Sequence, residues 1–258
     1  MGLVSFEVSG KDPQKEILLK YDKIVLVGDP RDKKYGEVAE FLRGRGYEVV
    51  QVDHFGGGET KGVPTYRDVA EVPDRYLEIL YVLQPSDEIP AIVDKIVENG
   101  KIPKVFWMHQ GTRSGYAKEK LEPLGTTVIE ESDVVRKYRE VFLEKDPVYE
   151  EILRFARLYA RTQGYALNPD PVELDRIISG LANNQKTYGY RYCPCRPLSG
   201  TPGADTKKIC PCYWHKEEIK RDGRCHCGLF WGAADKGGLK EQHPQFGKGE
   251  NNGPERKG

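Results

Sequence analysis

Short apolar runs and amphipathic segments alternate along the N-terminal half of the chain. Residues 23–28 form a β-branched run that ends in glycine, which is typical of a buried strand, and residues 36–45 then carry apolar side chains at helical spacing. The alternation continues, with strands predicted at 23–28, 47–52, 78–83, 104–108 and 126–129 and helices predicted at 36–45, 89–99 and 116–124. Because strands that alternate with helices pair in parallel beneath helices on both faces, this pattern predicts a doubly wound α/β domain of about five strands.

A different pattern begins near residue 146. Residues 149–162 and 168–184 are amphipathic, and we expect two helices there. The cysteines follow, and after them comes a segment dominated by Gly, Lys, Glu, Asn and Gln, which we expect to be disordered. These changes divide the chain into an α/β domain at 1–146, a small and mainly helical domain at 147–232, and a flexible tail at 233–258.

Composition limits the classes of function. A length of 258 residues suffices for two domains, and 38% hydrophobic with 31% charged residues is typical of a soluble globular protein. The 40 basic residues balance the 40 acidic ones, which argues against a broadly basic nucleic-acid binder. The apolar runs are much shorter than the ~20 residues of a membrane span. Because the N-terminus also lacks the pattern of a secretory signal, we expect a cytoplasmic protein with no nucleic-acid or membrane partner.

The cysteines are confined to one short segment. They form three C-x-C pairs, which are Cys193-Pro-Cys195, Cys210-Pro-Cys212 and Cys225-His-Cys227. A tetrahedral zinc site would leave two of the six thiols over, whereas a cubane iron–sulfur cluster takes four thiolates and leaves a dithiol for two-electron chemistry. The count favours the second arrangement, but the spacing alone leaves zinc and structural disulfides open.

The residues around these pairs are specific. Ala160-Arg-Thr-Gln-Gly and Gly180-Leu-Ala-Asn-Asn precede the first pair, and Gly-Leu-Phe follows the third. With the pairs in the order CPC, CPC, CHC, residues 147–232 resemble the catalytic subunit of ferredoxin:thioredoxin reductase. The resemblance implies a 4Fe-4S cluster bound by Cys193, Cys210, Cys212 and Cys225. It also implies that Cys195 and Cys227 form the redox-active pair and that His226 handles protons.

The same resemblance implies a reaction. A ferredoxin would deliver single electrons, Cys195 would attack the substrate disulfide to form a mixed disulfide, and Cys227 would then resolve that intermediate. Residues 147–232 contain 13 Lys and Arg against 9 Asp and Glu. This mild basic excess suits the docking of an acidic ferredoxin, and an ordinary solvated surface equally well.

Four segments of the α/β part, 25–42, 46–52, 83–90 and 105–111, carry a second resemblance. In their order and spacing they resemble the small CoA-binding proteins of the Rossmann type. The resemblance implies a ligand site in the loop after the first strand and at the ends of the second and fourth strands. The residues concerned are Gly28, Asp29, Pro30, Arg31, Lys33, Lys34, Asp53, Gln110 and Gly111.

The loop after the first strand has the chemistry of a phosphate site. Gly28 would let the backbone approach a pyrophosphate, and the following helix would offer its positive N-terminus. Arg31, Lys33 and Lys34 would add charge for the phosphates. The G-x-G-x-x-G fingerprint of dinucleotide sites is absent from the sequence, which disfavours NAD, and basic loop residues can also be ordinary solvated surface.

Joining a CoA-binding domain to a disulfide-reducing centre suggests a specific activity. We expect a ferredoxin-dependent disulfide reductase in which the first domain holds CoA disulfide or a CoA mixed disulfide and Cys195 cleaves it. One alternative keeps the enzyme but makes a thioredoxin-like protein the substrate and CoA a regulator. The other is a zinc-bound CoA sensor without enzymatic activity, whose cysteines are structural.

Overall fold

A computed structural model of the protein describes residues 12–54 and 62–232. Six strands form a parallel sheet in the order β3-β2-β1-β4-β5-β6, which confirms the doubly wound α/β class. The strands are β1 (Lys23–Val27), β2 (Glu48–Val52), β3 (Thr65–Tyr66), β4 (Ile79–Val82), β5 (Val105–Met108) and β6 (Thr127–Ile129). The helices are α1 (Pro13–Lys20), α2 (Lys33–Gly44), α3 (Ile89–Glu98), α4 (Gly115–Leu121) and α5 (Val134–Tyr138), which continues as a π-helix over Arg139–Leu143.

The second half of the chain is mainly helical. It contains α6 (Pro147–Gln163), α7 (Pro171–Tyr188), α8 (Pro202–Asp205), α9 (His215–Asp222) and the antiparallel strands β7 (Tyr165–Leu167) and β8 (Phe230–Gly232). Within the described residues, every helix is too short or too polar to span a bilayer. The segment 233–258, predicted to be a tail, lies outside the described residues, and the boundary near residue 146 stays a prediction, although α6 begins beside it with Asp146 as its N-cap.

The structure corrects two details of the predicted α/β domain, the number of strands and the start of one helix. The sheet has six strands rather than about five, because the two-residue strand β3 pairs with the end of β2 at Gln51 and Val52 and is too short to leave an alternating pattern. Helix α2 begins at Lys33 rather than Gly36, because the Asp32 carboxylate accepts a hydrogen bond from the Lys34 amide and caps the helix there. Lys33 and Lys34 therefore belong to the first helical turn and not to a loop.

The sheet packs on both faces. Leu26, Tyr81 and Trp107 point to the face covered by α1, α2 and α5, whereas Val27 and Phe106 point to the face covered by α3 and α4. All five side chains are buried, as the continuous β-branched and aromatic runs of the strands require in a sheet covered on both sides.

The two halves of the chain share the first of these cores. Helix α6 adds Leu153 and Ala156 to the cluster that contains Tyr138 and Phe142. On the same helix, the Arg157 guanidinium stacks 4.2 Å from the centre of the Tyr47 ring and donates to the carbonyl of Leu18. The halves are thus one packed unit.

Polar contacts reinforce this packing. Asp175 of α7 accepts from Lys15 of α1 at 2.9 Å and from the Tyr149 hydroxyl at 2.7 Å. Arg161, near the end of α6, donates to the carbonyl of Gly46, which comes just before β2. The contact at Gly46 brings the second half against the amino edge of the sheet.

A groove lies at this amino edge, between the sheet and the second half of the chain. It has a volume of about 460 Å³ and is lined by Lys23, Glu48 and Glu78, which stand at or next to the beginnings of β1, β2 and β4. Its other wall is the segment 164–169 that follows α6. The second half therefore meets the sheet at the edge opposite to the one where doubly wound folds bind their ligands.

Gly46 tests this packing. It has a φ of 84°, and a Cβ built on it would lie 2.9 Å from Cβ of Arg157. We expect Gly46→Ala to lower the free energy of unfolding by about 2–4 kcal/mol, because left-handed strain adds to the overpacking. Gly100→Ala is the matched control, since Gly100 also has a positive φ, of 65°, and nothing lies within 4 Å of its built Cβ. Urea unfolding followed by circular dichroism measures both, and a wild-type unfolding energy for Gly46→Ala would contradict the close contact.

Candidate functional site

The first two cysteine pairs lie side by side. The Cys193 amide donates to the carbonyl of Lys208 at 2.8 Å, and the Cys210 amide donates to the carbonyl of Arg191 at 2.9 Å. These hydrogen bonds flank a single antiparallel bridge between Tyr192 and Ile209. The C-P-C turns are therefore held next to each other by backbone hydrogen bonds.

The third pair is anchored by β8. The Cys225 amide donates to the Phe230 carbonyl at 2.9 Å, and the Phe230 amide donates to Sγ of Cys225 at 3.3 Å. Asn168, which follows β7, donates to the carbonyl of Gly228 at 3.0 Å. The antiparallel pair of strands β7 and β8 thus holds the turn that carries Cys225 and Cys227.

The six sulfurs differ in exposure and spacing. Cys195 and Cys227 are partly exposed, whereas the other four cysteines are buried. The Sγ atoms of Cys193, Cys195 and Cys227 lie within 4.8 Å of one another, with 3.1 Å between Cys193 and Cys195. The structure therefore brings together the two cysteines predicted to form the redox pair, and it places one predicted cluster ligand, Cys193, beside them.

The predicted ligands face a common cavity. Cys193, Cys210, Cys212 and Cys225 all line it, together with Cys227, Pro211, His215, His226 and Phe230. Cys195 is not among these residues. Four buried thiols that face one small space, with an amide donating to one of the sulfurs, are the donor set that an iron–sulfur site uses. The cysteine cluster therefore fits such a site.

Cys193 is the centre of the thiol hydrogen bonds. Hydrogen bonds with Cys193, the larger effect, and with Cys227 lower the pKa of Cys195 to about 3. The hydrogen bond between Cys193 and Cys195 raises the pKa of Cys193. The hydrogen bond between Cys193 and Cys227 raises the pKa of Cys227. For Cys212 the pKa falls to about 6, first through Cys193 and then through the Arg196 guanidinium. Among these thiols, negative charge is therefore best accommodated on Cys195 and Cys212.

Two histidines lie at the cavity. His226, the predicted proton handler, is exposed, and its amide donates to Glu218 at 3.0 Å. His215 is buried, with Nδ1 2.6 Å from the carbonyl of Cys212 and Nε2 2.6 Å from the Tyr159 hydroxyl. No role for His215 was expected from the sequence. Its position at the start of α9, three residues after Cys212, is the signal that could have drawn attention to it.

The residues predicted to bind a nucleotide gather at the carboxyl edge of the sheet. Asp29 follows β1, Asp53 follows β2, and Gln110 follows β5. Asp53 is buried and its amide donates to the carbonyl of Tyr66 at 2.9 Å, while Gln110 accepts from Arg136 at 2.9 Å. Gly111 has a φ of 87° in the turn that follows. The structure thus places these side chains along one edge, as the topology requires.

The predicted phosphate loop is partly neutralised by its own acids. Arg31 forms a bidentate pair with Asp29, with distances of 2.8 and 2.7 Å, and Pro30 lies between these two residues. Lys33 lies 3.3 Å from Glu37, one helical turn away. A Cβ on Gly28 would lie 3.0–3.1 Å from Tyr35 and Leu83, so packing also requires glycine at this position.

Two further polar side chains are buried at this edge and were assigned no role from the sequence. They are Gln84, which follows β4, and His109, which follows β5. Gln84 lies 5% exposed and His109 7% exposed. Their position within two residues of the ends of apolar strands was the available signal, because ligands of doubly wound sheets bind at these ends.

Comparison with known families accounts for both halves. Residues 144–244 match the family model of the ferredoxin thioredoxin reductase catalytic beta chain, and residues 22–135 match the model of the CoA binding domain. The chain is therefore similar to a different family in each of its two halves. The catalytic-chain match covers all six cysteines, and the CoA-binding match covers all six strands of the parallel sheet.

A curated relative is similar to part of this chain. Over 83 residues, or 31% of this chain, the sequence is 34% identical to the chloroplastic ferredoxin-thioredoxin reductase catalytic chain of Arabidopsis thaliana. The match spans 54% of that protein, so the chain covers about half the length of the curated relative. Two solved structures are also similar to part of this chain.

A hypothetical protein from Pyrococcus horikoshii OT3 is 25% identical with a TM-score of 0.45, and the match covers 52% of this chain and 94% of that one. A protein from Thermus thermophilus is 21% identical with a TM-score of 0.43, and the match covers 51% of this chain and 100% of that one. Each match therefore takes in nearly all of the smaller protein and about half of this chain.

Gly180 tests how α7 positions the first cysteine turn. A Cβ built on Gly180 would lie 3.0 Å from Cβ of Pro194, between Cys193 and Cys195. We expect Gly180→Val to push this turn away from the helix and to lower the iron content of anaerobically purified protein. Overpacking should also cost about 1–3 kcal/mol of unfolding free energy.

Asn183→Val, at an exposed position one turn along α7, is the control for placing a β-branched residue in this helix. It should keep the wild-type iron content. If Gly180→Val also kept it, the contact with Pro194 would not position the cysteines.

Proposed function

We propose that the protein is a disulfide reductase that draws electrons from a ferredoxin, with Cys195 and Cys227 as its redox-active pair. In this proposal Cys193, Cys210, Cys212 and Cys225 hold a 4Fe-4S cluster. One observation carries it: two partly exposed sulfurs lie within 4.8 Å of each other, beside four buried cysteines that line one cavity. The family of the second half supports disulfide reduction.

The burial of the cysteines supports this division of roles. In the first and third pairs one cysteine is buried and the other is partly exposed, whereas both members of the second pair are buried. Buried thiols are suited to hold a cluster away from water, and exposed thiols are suited to reach a substrate. When bound, the cluster supplies electrons one at a time.

The exposed pair can then carry out two thiol–disulfide exchanges. The Cys195 thiolate attacks one sulfur of the substrate disulfide, which forms a mixed disulfide and releases the first substrate thiolate. The Cys227 thiolate next attacks Cys195, which releases the second substrate thiolate and leaves a Cys195–Cys227 disulfide. Two electrons from two ferredoxins and two protons restore the dithiol. The exposed imidazole of His226 can deliver a proton to a departing thiolate.

The position of the CoA-binding half bears on the substrate. Its predicted ligand residues lie at the carboxyl edge of the sheet, whereas the second half packs against the amino edge through Arg161 and the segment 164–169. A strand of five residues separates the two edges by about 16 Å. This arrangement favours CoA as a regulator and a protein disulfide of the thioredoxin type as the substrate. Reduction of CoA disulfide, which the fusion suggested, would require its sulfurs to reach Cys195 from the opposite edge.

Serine variants test the division of roles. We expect Cys195→Ser and Cys227→Ser to keep the iron and sulfide content of the wild type and to lose reductase activity, because they remove only the exposed pair. We expect Cys210→Ser to lose iron as well, since Cys210 is buried in the cavity.

Metal analysis and visible absorbance of anaerobically purified protein measure the first effect, and disulfide reduction measures the second. Zinc in place of iron, or iron loss in Cys195→Ser equal to that in Cys210→Ser, would reject the proposal.

A substrate comparison tests the role of CoA. With photochemically reduced ferredoxin, we expect the protein to reduce oxidised thioredoxin and expect free CoA to change that rate. We expect reduction of CoA disulfide to be slower, because its binding site opens on the far edge of the sheet. Thiol release measured under argon reports both reactions. Faster turnover of CoA disulfide than of thioredoxin would instead identify CoA disulfide as the substrate.

A further inference from the structure

Two buried nitrogens at the carboxyl edge of the sheet have no hydrogen-bond partner within the described part of the chain. They are Nε2 of Gln84 and Nε2 of His109. A buried polar group that lacks a partner destabilises the fold, so a pair of them at one edge requires an explanation. Gln84 lies two residues after β4 and His109 directly follows β5, and these two strands are neighbours in the sheet.

Thr112 fixes the two residues relative to each other. Its amide donates to the carbonyl of His109 at 3.0 Å, and its hydroxyl donates to the carbonyl of Gln84 at 3.0 Å. The His109 amide in turn donates to the carbonyl of Val82 at 3.0 Å. The backbone beneath both side chains is therefore held in place before any ligand binds.

The hydrogen bonds of Tyr81 determine which ring nitrogen of His109 carries the proton. The amide of Val134 donates to the Tyr81 hydroxyl at 3.4 Å, and this hydroxyl also contacts Nδ1 of His109. Because the hydroxyl already accepts from the amide, its own proton is directed to Nδ1, and the ring proton then resides on Nε2. Burial and then the nearby Lys34 charge lower the pKa of His109, Asp133 opposes them, Arg136 adds to them, and the net lowering favours the neutral ring. His109 Nε2 is thus a neutral donor, as is the amide nitrogen of Gln84.

The charges around these donors indicate what they bind. Lys34 lies in the first turn of α2, whose N-terminus opens at this edge, and Arg136 of α5 donates to Gln110 nearby. Donors accompanied by cations and a helix N-terminus match a ligand group that is rich in anionic oxygen.

We infer that Gln84 Nε2 and His109 Nε2 donate hydrogen bonds to phosphoryl oxygens of a ligand bound at the carboxyl ends of β4 and β5. This inference rests on the proposed CoA binding by the first half and deepens it, because it assigns the diphosphate of CoA to these two side chains. Arg31 and Lys33, by contrast, already have carboxylate partners in Asp29 and Glu37.

Matched variants distinguish the loss of a hydrogen-bond donor from a change in side-chain volume. His109→Gln can place an amide nitrogen near the position of Nε2, whereas His109→Asn is too short to do so and retains only a group near Nδ1. Gln84→Glu replaces the donor by a carboxylate oxygen of nearly the same shape. Gln163→Glu makes the same chemical change at an exposed position on α6 and serves as its control.

Isothermal titration of the full-length protein with CoA, and separately with ADP as a shorter diphosphate, measures the effect. We expect Gln84→Glu and His109→Asn to weaken CoA and ADP binding by roughly ten-fold to a hundred-fold, because each loses a hydrogen bond to a charged group. We expect His109→Gln and Gln163→Glu to stay within a few-fold of the wild type. Thermal unfolding without ligand establishes that each variant is folded.

Wild-type affinity in folded Gln84→Glu and His109→Asn would overturn the inference, and so would a wild-type protein that binds neither CoA nor ADP. A parallel disulfide-reductase assay keeps this outcome distinct from failure of the proposed function. Unchanged ligand binding with reductase activity present rejects only the two donors, whereas weakened binding in a protein without reductase activity supports the donors and rejects the enzyme.

Discussion

Helix α6 packs against both halves of the chain, and this packing determines where the cysteine centre lies relative to the sheet. On one side Arg157 is buried against the Tyr47 ring and the carbonyl of Leu18. On the other side Tyr159 lies 5.1 Å from Phe230, centre to centre, and contacts His215. Because the same rigid helix makes both sets of contacts, the cysteine turns cannot move far from their position without breaking one of the two interfaces.

This constraint places the two candidate sites at separate ends of a connected structure. At the crevice, His109 contacts Tyr81, whose hydroxyl accepts from the first residue of α5. At the end of α5, the Tyr138 hydroxyl donates to Glu150 of α6 at 3.3 Å. Farther along α6, Tyr159 and His215 reach the carbonyl of Cys212. In the proposed regulation by CoA, a ligand that shifts α5 acts on the cysteine turns through α6.

The parts of the fold that could be predicted are those in which one local signal dominates. The buried strands were predictable because runs such as 23–28 have no other stable placement than a covered sheet. The π-helical extension of α5 and the strand β3 were not, because the first depends on packing against α6 and the second is two residues long. Helix α1 was missed although Asp12 caps it and Pro13 stands in its first turn, a pairing that is typical of a helix start.

The residues of the candidate sites also differ in whether they could be predicted from the sequence. The six grouped cysteines and their resemblance to a known family located the cysteine centre, because residue type and spacing can be seen directly in the sequence. Gln84 and His109 were missed because a sequence does not show hydrogen-bond partners, and only the fold shows that both side-chain nitrogens lack a partner among the described residues.

The spacing of the cysteine pairs has a physical consequence that the sequence alone did not show. A C-x-C turn carries two thiols, and in the first and third pairs one is buried while the other is partly exposed. Cys193 lies 3.1 Å from Cys195, and Cys225 lies 3.7 Å from Cys227, sulfur to sulfur. Each partly exposed thiol therefore lies beside a buried thiol of the same turn. A longer spacer would allow the two thiols to separate, so under the proposed function the tight spacing couples electron delivery to disulfide chemistry.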